Sequence, residues 1–201
     1  MARRTVAVLA GGTAVAAVAV VVVLAGGGGT GLAPEGGTGQ VKAVAPNVAV
    51  IPVDDRRPLP AFAGETVDGR RLDLASFRDG PLVLNFWASW CGPCRAEQEG
   101  LELASGRLAG RGVHVVGVNV RDDHGAAASY LEEFRVGYPS LFDRPAVLAA
   151  RLGAFAPDYP PYTLVVDADG RVAARIFGVL PGGSPAAQAG FLADVVEQAT
   201  R

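Results

Sequence analysis

Apolar and polar positions divide this chain into three stretches of different pattern. The first carries no charge from Thr5 to Ala33, and within it Val6 to Ala25 is twenty residues of Ala, Val, Leu, Gly and one Thr. A helix of about 20 apolar residues crosses a bilayer. Arg3 and Arg4 precede the run, which keeps that end cytoplasmic and sends the rest of the chain across. The reading adopted is a signal anchor over 1–25, a single transmembrane helix. A cleaved signal peptide competes with it, because Val23-Leu24-Ala25 has small residues where cleavage needs them. The apolar region of such a peptide usually has about 7–15 residues, shorter than this one.

The second stretch, 26–58, has no apolar period. It opens with Gly26-Gly27-Gly28-Gly29 and carries Pro34, Pro46, Pro52 and Pro58. That composition predicts a flexible linker with a reach of roughly 30 Å.

The third stretch, 59–201, alternates strand-like and helix-like patterns, which predicts one α/β domain. Phe62 to Leu72 reads as a hairpin turned at Asp68-Gly69, and Leu74 to Phe77 as a short helical turn. Pro81 to Trp87 and Val113 to Val120 are apolar almost without break and read as buried strands. Between them Pro93 to Ala109 reads as a helix closed by Gly110-Arg111-Gly112. Asp122 or Asp123 suits the cap of a helix running to Arg135. Pro145 to Leu152 reads as a short helix. Tyr162 to Asp167 and Arg171 to Phe177 form a hairpin around Ala168-Asp169-Gly170. Ser184 caps a last helix that ends near Thr200.

Charge excludes one class of partner. Eighteen Lys and Arg stand against 20 Asp and Glu, so no basic patch for nucleic acid is expected. The only two cysteines are Cys91 and Cys94, in the run Trp90-Cys91-Gly92-Pro93-Cys94. Two thiols at this spacing, where a buried strand passes into a helix, form a reversible dithiol–disulfide pair. The helix start offers Cys91 unpaired N–H groups and the positive end of the dipole. Cys91 is therefore expected to be the attacking thiolate. Cys94, one turn further in and better shielded, would resolve the mixed disulfide. Pro93 suits a first helical turn. Zinc normally takes four ligands, and His114 and His124 lie far downstream. A static bridge across so short a loop constrains the unfolded chain little. No metal or organic cofactor is expected.

The element order and the run Asn85-Phe86-Trp87-Ala88-Ser89-Trp90-Cys91-Gly92-Pro93-Cys94-Arg95-Ala96-Glu97 resemble the thioredoxin superfamily, and within it the membrane-anchored TlpA/ResA-like branch. The resemblance covers Leu59 to the C-terminus. It implies a thioredoxin-like fold with an added N-terminal hairpin, Phe62 to Phe77, and a helical insertion, His124 to Leu152.

Residue by residue, the resemblance implies the following site. Pro161 matches the cis-proline that faces the cysteine pair, and its neighbouring backbone hydrogen-bonds an extended substrate. Pro160 precedes it here and has no N–H to donate. Glu97 matches a glutamate near the cysteines, where a carboxylate can take the proton of Cys94. Asn85 stands where cytoplasmic thioredoxins carry a buried aspartate, which shifts proton transfer towards Glu97 or water. Trp90, Gly92, Pro93, Pro160 and Tyr162 are the expected substrate-docking residues, and Trp87 is expected in the core.

The activity implied is extracytoplasmic thiol–disulfide exchange, with the protein held in the cell membrane by a single span. Its expected partners are disulfide-bearing or dithiol exported proteins, apocytochrome c among them, and a membrane thiol–disulfide electron donor or acceptor. Reduction is the reading adopted. Oxidation of secreted thiols is the alternative, and a non-catalytic binding module is the alternative of another class.

Overall fold

The computed structural model describes residues 42–201. The apolar run 6–25 and residues 26–41 lie outside the described residues. Among the described residues no helix is long and apolar enough to cross a membrane. The described elements are β1 (Lys42–Ala45), β2 (Val48–Val50), β3 (Ala63–Glu65), β4 (Arg71–Asp73), β5 (Leu82–Trp87), α1 (Gly92–Ala109), β6 (His114–Val120), α2 (His124–Glu133), β7 (Ser140–Asp143), α3 (Val147–Leu152), β8 (Tyr162–Val166), β9 (Val172–Phe177) and α4 (Pro185–Thr200). Short 3-10 turns stand at Val53–Asp55, Leu74–Phe77 and Gly153–Phe155.

The apolar run at β5 sets the centre. All six of its residues are buried, which requires cover on both faces and partners on both edges. It lies between parallel β6 and antiparallel β8 in a seven-stranded sheet of order β1-β2-β9-β8-β5-β6-β7. Strand geometry then divides its side chains by period two. Val83 joins Leu101, Ala104 and Leu108 of α1 and Leu192 and Val196 of α4 on one face. Leu82, Leu84 and Phe86 join Val116, Val118, Leu148 and Leu164 on the other. Each such fully buried side chain contributes about 1.5–3 kcal/mol relative to exposure. Asn85 shares the α1 face of β5 with Val83, and this places an amide under the helix that carries the cysteines.

The helix starts follow their caps. Asp123, rather than Asp122, caps α2, accepting from Gly125 N at 2.9 Å and Ala126 N at 3.1 Å. Ser184 caps α4 by accepting from Ala187 N. The expected hairpin is β3–β4, with Gly69 at φ 80° in its turn. Its loop reaches the sheet, where Val67 N donates to Ser140 O at 2.8 Å.

Two expectations differ from the fold. Part of the segment read as linker, Lys42–Ala45 and Val48–Val50, belongs to the sheet. β1 pairs with β2, and β2 pairs with β9 through Val48↔Ile176, Ala49↔Arg175 and Val50↔Ala174. Pro46-Asn47, read as linker composition, is the turn of this hairpin. Arg56, in the same segment, pairs with Asp167 at 3.0 Å with both side chains nearly covered, at 7% and 8% exposure. The insertion is also not purely helical. Between α2 and α3 it contributes β7, parallel to β6 at the sheet edge. Four residues after Pro139 show no period to read.

Candidate active site

The site is built where β5 ends. The chain leaves the sheet after Trp87 and turns, with Cys91 N donating to Ala88 O at 3.1 Å. Ser89 is fixed in this turn by Asp122, whose carboxylate accepts from Ser89 N at 2.5 Å and Ser89 Oγ at 2.7 Å. Asn119 and the Asp123 N–H supply Asp122 with two further donors. Trp90 is held by its indole N–H, which donates to Arg121 O at 3.0 Å, and 53% of its surface stays exposed.

Cys91 is the N-cap of α1 and forms a disulfide with Cys94. Cys91 Sγ accepts from Cys94 N at 3.1 Å. A helix-start N–H aimed at this sulfur favours a thiolate there once the bond is reduced. The expected contrast in shielding is small in the disulfide form, with Cys91 3% exposed and Cys94 1%. Polarity, rather than burial, distinguishes the two sulfurs. Both lie in a cluster with Val67 of the β3–β4 loop, Trp87, Ala127 and Tyr130. Gly92 and Pro93 are exposed, and a side chain at 92 would meet nothing within 4 Å, so the surface over the pair is open.

Pro160–Pro161 is a cis peptide bond. Phe86 pairs with Tyr162 in the sheet, so Pro161 stands beside the end of β5 from which the cysteines emerge. Pro161 is buried and Pro160 half-buried. Tyr162 is not on the docking surface. Its ring stacks on Phe86 at 4.2 Å and is 1% exposed, because the strand period aligns it with Leu164 and Val166 in the core.

Glu97 is fully buried, one turn after Cys94 on α1. Its Oε1 accepts from Asn85 Nδ2 at 2.9 Å and its Oε2 from Leu180 N at 2.8 Å. Burial pushes its carboxyl up to about 7, against the pull of the Leu180 and Asn85 hydrogen bonds. The partners of Glu97 are neutral donors, so the group keeps a titration near neutrality. Asn85 donates also to Thr163 Oγ1 at 3.1 Å.

Sequence reasoning missed several groups. Tyr130 OH lies 3.2 Å from Cys94 O and 3.3 Å from Gln98 Oε1, and Gln98 Nε2 donates to Tyr138 OH at 2.8 Å. Burial raises both phenols well above the usual tyrosine range. The apolar face of α2, Ala127 and Tyr130 at helical spacing, was the readable signal for one of them. The Leu180 N–H has no side-chain signal at all. Arg95 is engaged away from the sulfurs, paired with Glu133 and lying over the Phe134 ring at 4.9 Å. His114 bonds Asp79 at 2.9 Å and His124 packs edge-on against Phe142. Among the described residues no three His, Cys, Asp or Glu side chains form a metal-ligand set.

The chain has clear counterparts among known proteins. The sequence pattern of the Redoxin family matches residues 52–190. The chain belongs to the Redoxin family. It is 38% identical over 130 residues to the thiol:disulfide interchange protein DsbE of Yersinia pestis, a match covering 62% of this chain and 64% of that relative. A DsbF homologue from Corynebacterium diphtheriae is similar in structure, with a TM-score of 0.68 and 30% identity over 81% of this chain and 99% of that one. A secreted Mycobacterium tuberculosis disulfide oxidoreductase homologous to Escherichia coli DsbE gives a TM-score of 0.56 at 28% identity, over 66% of this chain and 95% of that one. The fold is thus thioredoxin-like with an extra hairpin, and Cys91–Cys94 is the redox pair of a thiol–disulfide oxidoreductase domain.

Proposed function

We propose that this chain is an extracytoplasmic reductant of disulfides in exported proteins, with apocytochrome c before haem attachment as its substrate class. The single observation that carries the reading is the buried Glu97, one turn behind Cys94 and hydrogen-bonded to Asn85 and Leu180, whose burial pushes its carboxyl up to about 7. A cycle that reduces a substrate needs Cys94 to lose a proton at neutral pH, inside a covered site.

In the reduced protein the Cys91 thiolate attacks one sulfur of the substrate disulfide. That S–S bond breaks, the other substrate sulfur leaves as a thiolate and takes a proton, and a mixed disulfide through Cys91 remains. Glu97 accepts the Cys94 proton, directly or through water, as a general base. The Cys94 thiolate then attacks Cys91 Sγ, and the second substrate sulfur leaves. Two electrons have passed to the substrate, and the protein holds the Cys91–Cys94 disulfide seen here. A membrane dithiol donor restores the dithiol. Trp90, Gly92 and Pro93, with the Pro160–Pro161 backbone, form the docking surface. Pro160 offers it no N–H, so a substrate strand bonds there by donating its own N–H to the Pro160 carbonyl.

The apolar run 6–25 supports a single membrane span with this domain outside the cytoplasm. The DsbE-homologous relative described as secreted supports the same compartment. Fractionation tests the anchor: the protein should remain with membranes in high salt, whereas a soluble form beginning near Gly26 would overturn it.

The decisive measurement is the reduction potential of Cys91–Cys94. A value near that of thioredoxin, about −270 mV, supports reduction, and one near about −120 mV would make the protein an oxidant instead. Trapping identifies the substrate. Cys94→Ala should accumulate mixed disulfides through Cys91, and c-type cytochromes with a C-x-x-C-H motif should be among the captured proteins. Capture of varied multi-cysteine proteins without them would overturn the substrate assignment.

A further inference from the structure

The donor that Glu97 receives from Leu180 comes from an irregular segment, the loop between β9 and α4. A loop N–H holds a carboxylate at fixed distance only if the loop itself is held. Leu180 is buried, and its carbonyl accepts from Gln188 Nε2 at 3.2 Å. Gln188 lies in the first turn of α4, is 5% exposed, and leaves its own Oε1 without a partner. The Leu180 carbonyl settles which end of the amide faces it, since only the nitrogen can donate.

Two glycines make room for this residue, one beside its side chain and one beside its backbone. On α1, a Cβ at Gly100 would sit 2.5 Å from Gln188 Oε1 and 2.7 Å from Gln188 Cβ. Gly100 is one turn beyond Glu97, so the helix that carries the carboxylate omits a side chain where Gln188 packs. In the loop, Gly182 has φ +140°, and a Cβ there would lie 2.7 Å from Gln188 N. Glycine in a helix interior is unfavourable, and a buried amide oxygen without a partner is costly. Neither feature serves packing better than an apolar side chain at 188 would.

We propose that Gln188 is a positioning residue for the disulfide chemistry: it fixes the Leu180 peptide so that its N–H meets Glu97 Oε2. The inference rests on the reading that Glu97 takes the Cys94 proton. Gln188 touches neither sulfur nor substrate and acts only through Leu180. The chain of contacts runs from α4 through the loop to the carboxylate and back to α1. The titratable groups near Glu97 are Cys94 on its own helix and Tyr130 and Tyr138 from the α2–β7 side, whose phenols stay neutral through burial. Asn85 faces it from β5 and does not titrate. Among the described residues no cation pairs with Glu97, so its two hydrogen bonds are what balance its burial.

The test uses Gln188→Met, an unbranched chain of similar length without the amide, in the full protein. The reduced protein is mixed with an aromatic disulfide whose thiolate is coloured. Attack by Cys91 releases one coloured thiolate, and resolution by Cys94 releases the second, so the second phase followed against pH reads the resolving step. In Gln188→Met the Leu180 N–H bond loosens, and the midpoint of that phase should move upward from the wild-type value. Hydrogen exchange at the Leu180 amide should quicken in the same variant. In a Glu97→Gln background the change at 188 should move nothing further. An unchanged midpoint and unchanged Leu180 exchange in Gln188→Met overturn the proposal, as does an equal shift when residue 97 is Gln. If Glu97→Gln itself leaves the pH profile untouched, the reading of Glu97 fails instead. Gly100→Ala supplies a second variant that displaces Gln188 with its amide intact. It should quicken Leu180 exchange and raise the midpoint, and a wild-type result there counts against the proposal equally.

Discussion

Two buried carboxylates in this domain are treated in opposite ways. Asp167, at the end of β8, is met by the Arg56 guanidinium at 3.0 Å and by Arg171 at 3.5 Å, and it also accepts from Arg171 N. Glu97, more deeply buried, is met by an amide and a backbone N–H and by no cation. A buried carboxylate beside cations ties elements together, here the segment before β3 to the β8–β9 turn. A buried carboxylate among neutral donors stays poised between protonation states, at about 7. The first arrangement suits a joint and the second suits the proton acceptor proposed for Cys94. What separates a structural from a chemical role here is the partner, not the depth.

The largest expected effect breaks the joint. Asp167→Ala leaves Arg56 covered and unpaired, and the domain should lose about 3–5 kcal/mol of stability. Denaturant titration measures that loss, and the rate of thiol exchange in the protein that remains folded should not change.

The next effect runs through pH. The ordinary glutamate value of 4.5 rises to about 7 in the fold, so between these values the native state holds a proton that the unfolded chain has released. Stability is therefore full below about 4.5, falls by about 3 kcal/mol as pH rises to about 7, and is flat beyond. Glu97→Gln should abolish that slope when midpoints are compared across the window. A slope that survives in the variant would assign it to another group.

The same substitution acts on rate. Resolution of the mixed disulfide should quicken through about pH 7 in the wild type, as Glu97 becomes able to accept a proton, and should slow about 100-fold in Glu97→Gln above that pH. Stopped mixing with a coloured disulfide reads this directly. Asp167→Ala should leave the profile in place, and if both variants lose it the contrast between the two carboxylates is wrong.

The smallest effect concerns the surface. Trp90 is half-exposed, so Trp90→Ala should change stability by no more than about 0.5 kcal/mol. The KM for a protein disulfide should rise several-fold, while the rate with a small disulfide stays as it was. An equal change for both substrates would show that Trp90 orders the cysteine loop rather than docking partners.

Legibility in the sequence followed the strength of the local signal. β5, α1 and the β8–β9 hairpin were readable because apolar runs, a helix cap and Asp169-Gly170 state their type within a few residues. β1, β2 and β7 were not, because strands of three or four residues beside proline carry no period, and their place is set by pairing with β9 and β6. Glu97 was named from the family resemblance and its place three residues beyond Cys94, while its burial and its bonds to Asn85 and Leu180 came only from the fold. Tyr162 was misplaced because a central strand buries both faces, which removes the alternation that tells inside from outside. The Leu180 N–H was invisible because a backbone donor is the same in every residue, and only the fold decides where it points.

The β3–β4 loop has a consequence beyond its contribution to the cysteine cluster. β7 is the outer strand of the seven-stranded sheet, and an open outer strand is a template on which any extended chain can crystallise into more sheet. Here Thr66 bridges Leu141, and Val67 N takes Ser140 O, so the rim is already occupied from within. At the opposite rim β1 is four residues long and stops at Pro46. A domain whose two outer strands are covered or cut short in this way is spared from pairing edge to edge with other extended chains.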